Sequence, residues 1–273
     1  MDDITQDDNK QIFDFSKVTI TNRFMFPLVF GHKEIAKPFI EAALGIKVYD
    51  LRDPEPEKTV LVSSLFKSVR YDVYIQEINN GNKVIRSFDL EMQIKNTKEL
   101  PKRARYYQGV HDCHDLQRGC AYSKLKDQYV MFICPDDIFK AGLAIYSFQN
   151  YAAENKNVAL NDRTFKNFYI FGNYKKLDDG HPLKKYLEYF ATNHPKESDE
   201  ETNRIHSRVE WYQADKETQE RYMTWEQELM LAAEAAAEKE RELNKKALAE
   251  KDEALAKLTR EIEGLKAQLA KKR

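Results

Sequence analysis

Residues 86–95, RSFDLEMQIK, alternate Phe88, Leu90, Met92 and Ile94 with Asp89, Glu91 and Gln93. A period of two is the pattern of a β-strand, whose successive side chains point to opposite faces. One face of this strand is apolar; the other carries two carboxylates and an amide. Upstream, RYDVYIQE sets Asp72 between Tyr71 and Val73, on the polar phase of its own strand, and EINNGNKV between the two strands contains an Asn-Gly turn signal. A hairpin of the two strands brings Asp72 near Glu91 and Gln93. Neighbouring strands lie about 4.8 Å apart, so carboxylates on one face can share a hard cation. Magnesium favours oxygen ligands and keeps several waters, so two carboxylates and a backbone carbonyl suffice. Bound there, it activates water and neutralises charge building on a phosphate. The same alternation also fits a half-exposed antiparallel strand whose acids only face water.

The elements that must position these residues follow from the rest of the pattern. Ile35, Phe39, Ile40, Ala43 and Leu44 have helical spacing, ended near Gly45. TVLVSSLF and VRYDVYIQE, rich in branched and aromatic residues, predict strands. KELPKRARYYQGVHDCHDLQRG predicts a helix starting near Pro101, since proline is tolerated in a first turn. DQYVMFICP is a continuous apolar run suited to a buried strand, and LAIYSFQN and FKNFYIF add two more. This order predicts a mixed α/β core.

RYDVYIQE and FDLEMQIK, followed by LPKRARYYQG, resemble the PD-(D/E)XK nucleases. More closely, they are similar to the Rpn family of recombination-promoting nucleases, also described as PD-(D/E)XK family transposases. That family combines an Asp strand, an Ile/Leu-Glu-Met-Gln strand and a helix opening with Arg and a Tyr-Tyr pair. Here these are Asp72, Leu90-Glu91-Met92-Gln93, and Arg103 with Tyr106 and Tyr107. TNRFMFPLVFG resembles the family's opening, with Arg23 where an Asp is usual and Pro27 where a Lys is usual. The resemblance covers roughly residues 20–175. It implies a restriction-endonuclease-like fold, a mixed β-sheet flanked by helices, and magnesium-dependent DNA cleavage. Asp72 and Glu91 would be metal ligands, and Gln93 would stand where the wider superfamily more often has a lysine. Asp89, and Glu34 or Glu41 on the first helix, could assist. Lys102, Arg103 and Arg105 at the start of the second helix offer cations for phosphate, Arg103 above all, and Tyr106 and Tyr107 could flank a nucleic-acid groove.

The 273 residues divide by composition into a loose leader (1–16), a nuclease-like domain (17–176), a helical extension (177–224) and a long helix (225–273). In the last, Leu248, Leu255, Ile262 and Leu269 recur every seven residues, with Leu258 and Leu265 three residues after two of them. This is the a/d seam of a coiled coil, interrupted by Lys251 at a d position and with Gly264 nearby. A continuous helix over that stretch would be roughly 70 Å long, which predicts pairing with another helix, by preference that of a second copy.

A formal net charge of -1 makes no general case for nucleic acid, so any basic surface must be local. No apolar run approaches the roughly 20 residues that span a bilayer, and the acidic start is unlike a secretory signal. Three cysteines, Cys113, Cys120 and Cys134, suit a reduced cytoplasm better than a disulfide framework. His111, Cys113, His114 and Cys120 are zinc-ligand types at a spacing poorly matched to paired knuckles. The expected function is a magnesium-dependent DNA endonuclease. The alternatives are a catalytically inactive nuclease-fold module, binding DNA or protein and working through its coiled coil, and a structural zinc protein.

Overall fold

The computed structural model describes residues 14–60, 67–95 and 97–271, the side chains at 263 and 265–271 excepted. Helices α1 (Met25–Phe30) and α2 (Lys33–Leu44) lead into four short strands, β1 (Asp50–Leu51), β2 (Glu55–Pro56), β3 (Thr59–Val60) and β4 (Val69–Arg70). Strands β5 (Val73–Ile78) and β6 (Val84–Met92) follow, then helix α3 (Leu100–Asp115) and strands β7 (Asp127–Cys134), β8 (Ile145–Phe148) and β9 (Thr164–Ile170). Helices α4 (Lys184–Thr192), α5 (Glu200–Ala214) and α6 (Lys216–Lys271) complete the chain.

The β5–β6 hairpin forms around the expected turn. Asn79 Oδ1 accepts from the amides of Gly81 and Lys83, and Asn82 takes a positive φ of 56°. Asparagine tolerates this left-handed conformation better than most residues. The register sets Val73 opposite Leu90 and Tyr74 opposite Asp89. β6 then pairs parallel with β7, and β7 parallel with β9, while β8 closes the edge antiparallel. The order in the main sheet is β1-β5-β6-β7-β9-β8, with β2 also on β5. Parallel neighbours need a crossover, and α3 supplies it between β6 and β7.

That crossover decides the environment of β6. Leu100, Ala104 and Tyr107 of α3 pack over Tyr74, Val130, Phe132 and Phe168 on one face of the sheet. On the other face, the Phe39 ring of α2 lies 6.3 Å from Tyr169 of β9 and 5.4 Å from Tyr186 of α4, between ring centroids. Both faces of β6 are therefore covered. Ser87 through Met92 are all buried, so the half-exposed strand that alternation allowed is replaced by a central one.

Other boundaries also move. The strand expected across residues 69–77 breaks at Tyr71 and Asp72: β4 pairs with β3 in a separate two-stranded sheet, and β5 joins the main one. Of the strand expected at 59–66, Thr59 and Val60 are seen, and residues 61–66 lie outside the described residues. Phe15, placed in the leader by composition, is buried edge-on against Phe24. The helical extension is not a separate layer. Phe190 of α4 meets Phe30 of α1, and α5 reaches α1 through a hydrogen bond from Tyr212 to the Leu28 carbonyl. α6 starts at Lys216 rather than near Trp225, because Asp215, in extended conformation, ends α5 and no breaker follows it. The chain forms two compact units that divide after Lys216.

Candidate active site

Asp72 and Glu91 meet where β5 begins and β6 ends. Each main chain clamps the other's carboxylate. The Asp72 amide donates to Glu91 Oε1 at 3.1 Å, and the Met92 amide donates to Asp72 Oδ2 at 2.9 Å. The break before β5 makes this possible: the Asp72 carbonyl accepts from the Glu57 amide at 2.9 Å, leaving its N–H for Glu91. Gln93 lies just past the end of β6, its amide on the Ile133 carbonyl of β7 at 2.8 Å. Asp72, Glu91 and Gln93, far apart in sequence or separated by a turn, thus gather at one end of the central strands.

Arg103, in the first turns of α3, closes the group. Its Nη2 donates to Glu91 Oε2, its Nη1 to Gln93 Oε1 at 3.2 Å, and its Nε to the Tyr107 hydroxyl at 2.7 Å. The guanidinium also lies 5.0 Å from the Tyr107 ring centroid and 5.4 Å from that of Phe132. Arginine stays charged at any pH of interest and forks onto planar acceptors, so it suits a mostly buried ion pair. Burial alone would lower its pKa, but Glu91, Tyr107 and Asp72 outweigh that and raise it.

The acids stand in a field of one another. Burial, then the charge of Asp72, pushes the Glu91 carboxyl up to about 8, with Arg103 pulling against both. Burial also raises Asp72, opposed by the charges of Arg23, Arg103 and Arg70 and by the Met92 amide. Asp89, on the same face of β6, has both carboxyl oxygens buried without a hydrogen-bond partner. Burial and the neighbouring Glu91 hold it well above the ordinary carboxylate range. Asp89 lines a small cavity with Tyr71, Tyr74, Gln108, His111 and Gln128.

The remaining predicted residues scatter. Lys102 and Arg105 are exposed in the first turns of α3. The tyrosine pair splits: Tyr106 is partly exposed and donates to the Lys67 carbonyl, while Tyr107 turns inward to Arg103 and the Tyr71 ring. A groove-flanking Tyr107 is thereby replaced by a core one. Glu34 pairs with Arg208 of α5, and Glu41 accepts from the Val48 amide. No hydrogen bond or ion pair between described residues joins either acid to Asp72 or Glu91. His111 is buried in a chain of polar contacts with Tyr74 and Gln128, whereas Cys113 and Cys120 are exposed.

Two hard carboxylates held side by side fit magnesium, which commonly takes one or two protein carboxylates and fills the rest with water. Among the described residues no group of three His, Cys, Asp or Glu side chains is arranged around a metal position. Arg103, expected at phosphate, rests instead on Glu91, and the charges of Arg23 and Arg70 on Asp72 had no counterpart in the sequence pattern. The signal for Arg103 was its position in the first turns of a crossover helix, which must start next to the strand end it leaves. No family model, curated protein or solved structure matches this chain.

Proposed function

We propose that this chain is a magnesium-dependent DNA endonuclease of the PD-(D/E)XK type, with a recombination-promoting or transposase-like role. One observation carries the reading: the reciprocal main-chain clamp that holds Asp72 and Glu91 together at the end of the central strands. Two like charges, Glu91 fully buried and Asp72 partly so, are costly to keep adjacent, and a site for a divalent cation gives that expense a use. Asp72 and Glu91 would hold the ion, which when bound supplies a nucleophilic water and charge neutralisation at phosphate. Gln93, an uncharged amide, can orient that water or a phosphate oxygen only by hydrogen bonds. Lys102 and Arg105, at the start of α3, would meet the DNA backbone.

The exposed leucines of α6 support self-association through a coiled coil, which would put two such sites in one particle. Leu248, Leu255 and Leu258 are each more than half exposed. A second reading, the inactive nuclease-fold module, is favoured by the Arg103 contact on Glu91, which occupies an oxygen the metal would use. Nicking of supercoiled plasmid separates the two. The nuclease reading expects cleavage with magnesium, none with chelator, and strongly reduced cleavage by Glu91→Gln; equal nicking by wild type and Glu91→Gln would remove it.

A further inference from the structure

We propose that Arg103 is a built-in counter-ion that competes with the metal: it neutralises Glu91 in the metal-free chain and yields Glu91 when a divalent cation binds. This rests on the reading of Asp72 and Glu91 as ligands, and adds to it a residue that sets the metal affinity. The contacts are specific. Arg103 reaches three different acceptors with three different N–H groups, on Glu91, Gln93 and Tyr107. Glu91 is completely buried, so its ionised form needs a partner in the absence of metal.

Gln93 and Tyr107 are uncharged acceptors, and their pull on Arg103 does not depend on whether Glu91 is engaged elsewhere. The guanidinium can therefore lose one contact and keep two, held over the Tyr107 and Phe132 rings. A cation bound by Asp72 and Glu91 would sit next to a guanidinium of the same sign. That repulsion weakens metal binding, and it is absent without Arg103. The amide at position 93 also gains a reason. A lysine there would set an ammonium against the guanidinium, whereas glutamine accepts its N–H.

The test is titration of the full-length chain with MnCl2 by calorimetry, alongside thermal melts with and without the metal, for wild type, Arg103→Gln and Arg103→Lys. Arg103→Gln is expected to melt lower than wild type without metal, yet to bind Mn2+ about tenfold more tightly and gain more from it in the melt. Arg103→Lys, with a cation but no fork, should fall between. Unchanged or weaker metal binding in Arg103→Gln, with wild type binding, would overturn the counter-ion role and leave the metal site standing. Should Arg103→Gln fail to fold, Arg103→Lys decides: tighter binding than wild type supports competition, equal or weaker binding refutes it. Absence of Mn2+ uptake by wild type, Arg103→Gln and Arg103→Lys alike removes the metal site and this proposal together.

Discussion

At Glu91 the choice of substitution matters as much as the position. Truncation to alanine leaves Arg103 mostly buried without its anion, and breaking one side of a buried pair costs about 3–5 kcal/mol. Loss of activity in Glu91→Ala would then report instability as much as chemistry. Glu91→Gln and Asp72→Asn keep the shape and the accepted amides while removing charge. Each is expected to lower magnesium-dependent nicking on the order of 100-fold or more, the scale of a lost metal charge in catalysis, with Asp72→Asn melting near wild type and Glu91→Gln melting lower, though folded, because Arg103 loses its anion. Nicking assays paired with thermal melts check this. Gln93 should behave differently. Gln93→Ala removes a hydrogen-bonding group and is expected to slow cleavage about tenfold while Mn2+ uptake persists. Gln93→Lys, which the superfamily pattern alone would favour, should fare worse than Gln93→Ala here, because Arg103 Nη1 already points at that position; comparing the two rates tests it.

Between elements, α3 is tied to the sheet by a polar chain as well as by apolar packing. His111 meets the Tyr74 hydroxyl of β5 and Gln128 of β7, and Gln128 also reaches Asp112. Burial lowers the His111 pKa, with Asp115 opposing and Lys58 and His114 assisting. An unfolded histidine titrates near pH 6.5. Below that value the unfolded chain takes a proton that the folded one resists, so stability is full above it and falls as pH drops. The buried acids of the site, raised rather than lowered, tilt stability the opposite way, so wild type alone cannot isolate the histidine. Urea melts at pH 7.5 and 5.5 should show His111→Gln losing less stability on acidification than wild type does. An identical difference in both proteins would mean that His111 takes up its proton as readily in the folded chain as in the unfolded one.

For the whole molecule, α6 presents an apolar stripe to solvent on an otherwise charged helix of 56 residues, about 84 Å at 1.5 Å per residue. Leu248, Leu255, Leu258 and Ile262 are all at least half exposed; the side chains of Leu265 and Leu269 lie outside the described residues. Burying each such side chain stabilises by roughly 1.5–3 kcal/mol, a gain that a lone helix in water cannot collect. Sedimentation should find the full chain associated and a chain ending at Lys216 monomeric; a full-length monomer at tens of micromolar, about the range where weak coils pair, would leave only a different partner helix. No helix among the described residues is long and apolar enough to cross a membrane. Local periodicity and turn chemistry already specify the β5–β6 hairpin with its Asn-Gly turn, the start of α3 at Leu100-Pro101, the buried β7, and the seven-residue repeat of α6. They also place Asp72, Glu91 and Gln93 within reach of one another, because a hairpin fixes which residues face each other. Long-range packing sets the rest: α3 roofs the polar face of β6, Tyr107 turns in while Tyr106 turns out, and Arg103 rests on Glu91. The physical reason is the same for all three. A strand's alternation records that its faces differ, but not which element will lie across them, and the charge that answers a buried carboxylate comes from whatever helix packs there.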